Sequence, residues 1–350
     1  MILAGDIGGT KTNVALFGIA GKSLRLVAME TYVSREYGSL EEILSQFLSV
    51  NRGQISRACF GIAGPVKDGR SATTNLSWLV DSRSLARMLG LRGVGLLNDM
   101  EASAWGIAAL EQKDLAVINP GTAVPTGNAA VIAAGTGLGE AGLEWNGTER
   151  WPFASEGGHS DFAPRSELEF ELFRYLKGEF GRVSYERVLS GPGLHNIYRF
   201  LRDTKRLDEP AWLAEELTQG DPSAVISQVA LEGRAEICER ALELFVEIYG
   251  AEAGNLALKM MATAGVYVGG GIAPKIAERL EAGPFLEAFV SKGRLRPILE
   301  QIPVMLVLNE RTALLGAARW ALRQGPNHRI TRPRRRSIPR RGVRASAKRR

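Results

Sequence analysis

The chain opens with two apolar stretches on either side of a glycine turn. Met1 to Asp6 is a short apolar run, and Asn13 to Phe17 resumes residues that favour strands. Gly8 and Gly9 lie between them and permit a positive φ. The pattern therefore predicts a two-residue β-hairpin, with the charged Asp6 where its turn begins.

Strands alternate with helices through the rest of the first third. The pattern predicts a strand over Leu24 to Val33, a helix over Ser39 to Val50 and a buried strand over Arg57 to Ile62. A polar hairpin through Lys67 to Thr74 follows. Gly93 to Leu110 then reads as an apolar strand that runs directly into an Ala-rich helix. This alternation is typical of an α/β domain.

A second unit of strand, glycine turn and strand loosely repeats the opening one. Ala129 to Ala134 is an apolar strand, GTGLG forms the turn, and an extended segment continues through Trp145. The repeat indicates two related lobes that each present a glycine turn to one ligand. A dinucleotide fingerprint is excluded, because GTGLG lacks the GxGxxG spacing and no helix follows it.

The last third is richer in helices. The chain returns to a strand over Gly265 to Val268, and the turn Gly269-Gly270-Gly271 leads into a helix from Pro274. Three glycines let a backbone approach a purine or its ribose, although an ordinary helix start has the same composition. Before this strand, helical spacing predicts helices over Ser166 to Lys177, Tyr185 to Arg202, Pro222 to Tyr249 and Ala251 to Met261.

Composition indicates an ordinary globular protein. Its 350 residues are 45% hydrophobic, which is enough for two domains. Cys59 and Cys238 are too few for a disulfide framework or a four-cysteine zinc site, which fits a reducing compartment. The N-terminus lacks a secretory signal pattern, and no run of 18 apolar residues occurs. We therefore expect a cytoplasmic protein with no membrane partner.

The net charge of +6 is concentrated at one end. Residues 326–350 hold 11 of the 44 basic residues and no acid, so the other 325 residues carry a net charge of about −5. Prolines and few apolar residues make disorder the expectation for this tail. It could touch nucleic acid or an acidic partner, but we favour a solvated extension with no specific partner.

The opening turn has the composition of a phosphate site. Its backbone N–H groups can face an anion, Thr10 and Lys11 add a hydroxyl and an ammonium, and Asp6 could hold a hydrated divalent cation. It is not a P-loop, because Thr10 separates the glycines from Lys11. An ordinary hairpin is the alternative.

Three other segments carry candidate polar residues. Asn98 and Asp99 follow a strand, where a hydroxyl ligand and a general base could lie, but Asn98 and Glu101 also resemble a helix capping box. Glu156 and His159 flank two glycines in SEGGHSDFAP, which is either a polyhydroxyl site or a surface turn. Glu186 precedes a Gly-Pro-Gly break, and a lone glutamate there is usually only solvated.

The order of the motifs resembles that of the bacterial glucokinase family, in the hexokinase-type, actin-like ATPase superfamily. The resemblance covers Ile2 to about Arg323 and favours ligand roles over the local alternatives. Lys11 stands where glucokinases often have Asn, and in this it resembles the ROK group of sugar kinases and repressors. ROK proteins usually carry a cysteine-rich zinc motif, which two isolated cysteines cannot supply, so the glucokinase branch is favoured. The motifs are DIGGTKT, LLNDMEASAWGIAAL, AAGTGLG, SEGGHSDFAP, YERVLSGPGL and GVYVGGGIAP.

The resemblance implies an α/β fold of two RNase H-like lobes around a central cleft. It implies a small α/β domain over 1–110 completed by 302–325, a large α/β domain with helical insertions over 111–301, and the basic tail over 326–350. It also implies a homodimer. The activity implied is ATP-dependent phosphorylation of the 6-hydroxyl of glucose to give glucose 6-phosphate. A ROK-type kinase of another hexose and a sugar-responsive regulator with a nucleic-acid-binding tail are the alternatives.

The resemblance also implies a role for each candidate residue. Asp99 would be the base that takes the proton of the 6-hydroxyl, and its place at a helix N-terminus is expected to favour its charged form. Asp6 would hold Mg²⁺ through water. The sugar ligands would be Asn98, Glu156, His159 and Glu186. The ATP-binding residues would be Asp6, Gly8, Gly9, Thr10 and Lys11 in the first phosphate loop, Thr136 and Gly137 in the second, and Gly269, Gly270 and Gly271 in the adenosine turn.

Overall fold

Two mixed sheets organise the part of the chain that the structure describes, which is residues 1–21, 23–73 and 76–324 of a computed structural model. Thr74 at the end of the predicted polar hairpin and the basic tail over 326–350 lie outside the described residues. None of the helices within the described ranges is long and apolar enough to cross a membrane.

The strands and helices are given in chain order. The strands are β1 (Ile2–Ile7), β2 (Lys11–Ala20), β3 (Ser23–Val33), β4 (Arg57–Ile62), β5 (Arg70–Ala72), β6 (Leu79–Asp81), β7 (Gly95–Asn98), β8 (Leu115–Asn119), β9 (Ala129–Ala134), β10 (Leu138–Trp145), β11 (Arg150–Ser155), β12 (Gly265–Gly269) and β13 (Val304–Val307). The helices are α1 (Leu40–Val50), α2 (Ser82–Met88), α3 (Asp99–Ile107), α4 (Glu167–Phe180), α5 (Gly191–Asp203), α6 (Ala211–Gln219), α7 (Pro222–Leu231), α8 (Glu236–Met260), α9 (Ala277–Glu281), α10 (Pro284–Val290), α11 (Arg296–Gln301) and α12 (Thr312–Gln324).

The small sheet has the strand order β3-β2-β1-β4-β7. Its first three strands are antiparallel neighbours, and β4 and β7 run parallel to β1. Apolar side chains of α1 and α2 cover one face, and those of α3 and α12 cover the other. Because β7 runs directly into α3, the residues at this junction lie at the edge where the parallel strands end.

The large sheet repeats this topology. Its order is β11-β10-β9-β12-β13-β8: β9, β10 and β11 are antiparallel, and β12 and β13 run parallel to β9. β8 adds a sixth strand, antiparallel to β13, so the loose sequence repeat reflects two lobes that share the order of their other five strands. The main core of the large lobe lies between this sheet and the helices from α4 to α11.

The boundary near the carboxyl end differs from the one expected from the sequence. The expected boundary at 302 assigns β13 to the small domain, whereas β13 pairs with β12 and β8 in the large sheet. Of the described residues from 302 to 324, it is α12 that packs on the small sheet, against α3, β1 and β4. We therefore propose that the small domain is completed from about residue 308 onward.

Three helix predictions differ from the structure, and one of them is the helix over Tyr185 to Arg202, in which α5 begins only at Gly191. The expected helix over Pro222 to Tyr249 is interrupted after α7, where Gly233 has a φ of +65°. The expected break at Gly250 does not occur, and α8 runs through it. Gly250 serves helix packing instead, because a Cβ there would overlap the Phe285 carbonyl oxygen of α10.

Candidate active site

Asn98 and Asp99 lie where β7 ends and α3 begins. Asn98 is the N-cap of α3, since its Oδ1 accepts from the N–H groups of Met100 (2.9 Å) and Glu101 (3.4 Å). Its Nδ2 donates to the Gly64 carbonyl (3.3 Å). The cap considered as an alternative role for Asn98 therefore exists, and it anchors the turn that carries Asp99.

The pKa of Asp99 is raised, which is the opposite of what its place at a helix N-terminus predicts. Burial is the largest cause, and the negative charge of Glu156 adds to it. The N–H of Met100, which donates to Asp99 Oδ1 (2.8 Å), lowers the pKa but is outweighed. A raised pKa makes the carboxylate a stronger base, which suits proton transfer near neutral pH.

Asp6 shares this site with Asp99. It lies near the carboxyl end of β1, opposite Asn13 of β2. Burial and then the charge of Asp99 raise the pKa of Asp6 to about 6, and a hydrogen bond with Asn13 opposes the shift. Asp6 pairs with Gly61 of β4, and a Cβ at Gly61 would lie 3.9 Å from the Asp99 Cα, so the first glycine turn and the start of α3 form one acidic site.

Ser34 holds the first glycine turn, although no local sequence pattern marks it for this role. Its Oγ donates to the Gly8 carbonyl (2.8 Å) and its N–H to the Thr10 carbonyl (3.0 Å). Neither Gly8 nor Gly9 has a positive φ, so that part of the hairpin prediction was wrong. Gly8 permits a close approach instead, because a Cβ there would lie 2.9 Å from the Lys11 carbonyl oxygen. Thr10 and Lys11 are exposed at the tip.

The second glycine turn, which contains Thr136 and Gly137, lies against the three-glycine turn that follows β12. Gly270 has a φ of +86°, and a Cβ there would overlap the Ala134 carbonyl oxygen. The buried Tyr249 hydroxyl joins the two strand ends: it accepts from the Ala134 N–H and donates to the Gly269 carbonyl, both at 3.1 Å. These two turns are close enough to contact one ligand.

The segments that carry Glu156, His159 and Glu186 meet beside the second glycine turn. His159 Nδ1 lies 3.8 Å from Glu186 Oε1. Glu186 Oε2 accepts from the Leu138 N–H (3.0 Å), and a Cβ at Gly137 would lie 2.5 Å from the same oxygen. The structure therefore brings Glu186, with His159 beside it, into contact with an expected phosphate turn.

Comparison with known proteins identifies the family. The family model described as glucokinase matches residues 3–324. The chain is 44% identical over 339 residues to a glucokinase of Nostoc sp., which covers 92% of this chain and 99% of that protein. The chain belongs to the glucokinase family. This agrees with the family that its motifs resemble.

Solved structures agree on the fold. A glucokinase from an Antarctic psychrotroph matches with a TM-score of 0.80 at 33% identity, over 91% of this chain and 98% of that one. A ROK family glucokinase from Streptomyces griseus, in complex with glucose and AMPPNP, matches with a TM-score of 0.64 at 21% identity, over 93% and 99%. The fold is therefore the two-lobed, actin-like ATPase fold of glucokinases and ROK sugar kinases.

Asp6 and Asp99 lie near the first glycine turn of this member of the glucokinase family. Their carboxylates suit a cation that keeps most of its water ligands better than one coordinated by protein atoms alone. Within the described ranges, no group of three or more His, Cys, Asp or Glu side chains could hold a metal ion. Asp6 and Asp99 bring two carboxylates close enough to raise the Asp6 pKa, and a divalent cation would relieve this repulsion. Mg²⁺ commonly binds through one or two carboxylates, water and substrate phosphates.

Proposed function

We propose that this glucokinase transfers the γ-phosphoryl group of ATP to the 6-hydroxyl of glucose, with Asp99 as the general base. The reaction follows from membership of the family and makes the chain an ATP-dependent hexose kinase. The assignment of the base rests on one observation: Asp99 begins α3, which contacts both Gly61, the strand partner of Asp6, and β11, the strand that leads into Glu156. Asp99 thus lies between the expected phosphate and sugar sites.

The proposed mechanism uses position and charge. Phosphoryl transfer needs an aligned hydroxyl group and fixed hydrogen-bond donors around the transferred phosphoryl group. The protein takes little part in the covalent chemistry, so positioning and electrostatic stabilisation supply most of the catalysis. Asp99 would orient the 6-hydroxyl and take its proton as the phosphoryl group arrives. The backbone N–H groups of the two glycine turns would stabilise the phosphate oxygens. Mg²⁺, held by Asp6 through water, would supply positive charge to the phosphates.

Each remaining candidate residue is proposed as a binding group. Asn98, Glu156, His159 and Glu186 would hold sugar hydroxyls, and the contact between Glu186 and Gly137 would keep the sugar next to the γ-phosphate. The Streptomyces griseus complex with glucose and AMPPNP supports a sugar and a nucleotide bound together in this fold. The proposed nucleotide contacts are Gly8, Gly9, Thr10, Lys11, Thr136, Gly137, Gly269, Gly270 and Gly271.

A cytoplasmic location and a homodimer are part of the proposal. Both cysteines, Cys59 and Cys238, are buried and free, which suits a reducing compartment. Sedimentation of the purified chain at several concentrations would measure its oligomeric state. A single species with the mass of one chain at all concentrations would contradict the dimer.

Substrate choice tests the proposed function directly. Release of nucleoside diphosphate, measured by a coupled assay across a panel of hexoses and phosphoryl donors, is expected to be fastest with glucose and ATP. Omitting Mg²⁺ is expected to abolish turnover. No turnover with any hexose would overturn the proposal, and faster turnover with another hexose would favour the ROK-type alternative.

Replacing Glu156 with glutamine is expected to raise the KM for glucose about tenfold or more and to change kcat much less. A carboxylate accepts hydrogen bonds from sugar hydroxyls more strongly than an amide does. Steady-state kinetics with varied glucose at saturating ATP measures both parameters. The control is Glu167→Gln, which neutralises an exposed carboxylate of the same lobe. A fall in kcat with an unchanged KM would contradict a binding role.

A further inference from the structure

The sugar loop, Glu156–His159, rests directly on β10 because its two glycines have no side chains. A Cβ at Gly157 would overlap the carboxyl group of Glu140, and a Cβ at Gly158 would overlap the Leu138 carbonyl oxygen. Gly158 therefore contacts backbone, whereas Gly157 contacts a side chain. The distance between the sugar loop and the sheet therefore depends on the position of the Glu140 carboxyl group.

Glu140 is a buried carboxyl group with few partners. It is 1% exposed, and its Oε1 has no hydrogen-bond partner within the described part of the chain. It lies within hydrogen-bonding reach of Glu252 on α8. Glu252 is itself fully buried, and it accepts from Asn255 Nδ2 (2.8 Å) and Lys259 Nζ (2.9 Å). Two buried carboxyl groups this close are most stable when they share a proton.

The same cluster reaches the second sugar segment through Tyr185, the neighbour of Glu186. The Tyr185 ring is buried, and its hydroxyl accepts from Asn255 Nδ2 (3.0 Å) and hydrogen-bonds Glu252. Lys292 Nζ donates to Asn255 Oδ1 (2.6 Å) and so fixes the amide between them. One buried network therefore lies beneath both segments that carry the proposed sugar ligands.

We propose that Glu140 is a positioning residue for glucose binding. Its carboxyl group, hydrogen-bonded to Glu252, supports the sugar loop at Gly157, and the shared network ties that support to the turn of Glu186. The inference rests on the proposed function, because it assumes that Glu156 and Glu186 bind the sugar. Glu140 itself contacts neither the sugar nor the nucleotide in this role.

The support that Glu140 gives to the sugar loop depends on pH, because it requires the carboxyl group to be protonated. Burial and then the charge of Glu252 raise the pKa of Glu140 to about 7, and Lys259 acts in the opposite direction. The protonated Glu140 carboxyl group therefore contributes its full stabilisation of the folded state below the ordinary pKa of a glutamate. This contribution is lost as pH rises through about 7. Above this pH two negative charges meet beneath Gly157. The other ionisable groups that face the network are Tyr185, Tyr249 and Lys292, and the charges of Arg165 and Glu169 act on Lys292.

The two tyrosines and Lys292 do not compensate for the lost proton near neutral pH. Burial raises the pKa of Tyr185 and Tyr249, so both hydroxyls stay neutral. Burial lowers the pKa of Lys292 to about 8, so its positive charge decreases just above the range in which Glu140 ionises. The sugar loop is therefore expected to loosen as pH rises from about 6 to 8.5.

Two substitutions test the proposal. Glu140→Gln keeps the shape and can still donate to Glu252, so its KM for glucose is expected to match that of the wild type at pH 6. Between pH 6 and 8.5 the KM of the wild type should rise several-fold relative to that of Glu140→Gln. Glu140→Ala removes the support and is expected to raise the KM for glucose about tenfold at every pH, with kcat and the KM for ATP changed much less.

The control is Glu209→Gln, which neutralises another carboxylate of the large lobe, one that accepts from the Tyr198 hydroxyl and pairs with Arg202 outside this network. It is expected to lower the Tm without changing the KM for glucose. The proposal would be overturned if the KM for glucose changed with pH in the same way in the wild type and in Glu140→Gln. Equal rises in the KM for glucose and the KM for ATP in Glu140→Ala would also overturn it. Turnover of glucose by the wild type, and the KM of Glu156→Gln, separately test the proposed function.

Discussion

Asparagine in place of Asp99 is expected to lower kcat about 100-fold or more, with little change in the KM for glucose. An amide cannot take the proton of the 6-hydroxyl, but it is nearly isosteric with the carboxyl group. The helix start should survive, because Asn98 caps α3 and accepts from the Met100 N–H at 2.9 Å. Steady-state kinetics together with the Tm of both proteins measures the outcome.

Glu101→Gln is the matched control on the same turn of α3. Burial raises the pKa of Glu101 to about 7, so its carboxyl group is already partly protonated at neutral pH. Its amide variant is therefore expected to keep a kcat close to that of the wild type. If Asp99→Asn had a near-normal kcat, or if its loss only followed a lower Tm, Asp99 would serve the helix and not the reaction.

Sequence patterns predicted the order of strands and helices where one local signal dominated. The helix over Ser39 to Val50 is an example: Ser39 caps α1 by accepting from the Glu42 N–H, and the apolar residues at helical spacing are buried. The glycine turns were also placed correctly. Their geometry was not, because a glycine in a sequence cannot distinguish a positive φ, as at Gly270, from a close approach, as at Gly8.

Features that depend on distant parts of the chain could not be predicted. Ser34 supports the first turn from the far end of β3, and Glu252 reaches Glu140 from a helix more than 100 residues away. The raised pKa of Asp99 also depends on burial, which outweighs the local effect of the helix terminus. The candidate ligands were proposed because their motifs occur in one order. The network that supports them has no comparable local pattern.

Helices α3 and α12 hold the base in place through a contact between their backbones. A Cβ at Gly316 of α12 would overlap the Ala102 carbonyl oxygen of α3, and a Cβ at Gly106 of α3 would overlap the Thr312 carbonyl oxygen of α12. Two glycines from different parts of the chain therefore set the distance between the helices. Because Asp99 is the first residue of α3, its position depends on this packing.

Replacing Gly316 with alanine is expected to lower the free energy of unfolding by about 2–3 kcal/mol, because neither backbone can move without disturbing a core. The catalytic efficiency should fall as well, since α3 would shift with Asp99. The control is Gly178→Ala in α4, where the added Cβ meets no atom within 4 Å and stability should rise by about 0.5–1 kcal/mol. Chemical denaturation measures both variants. Equal gains in stability would show that α3 and α12 are not in backbone contact.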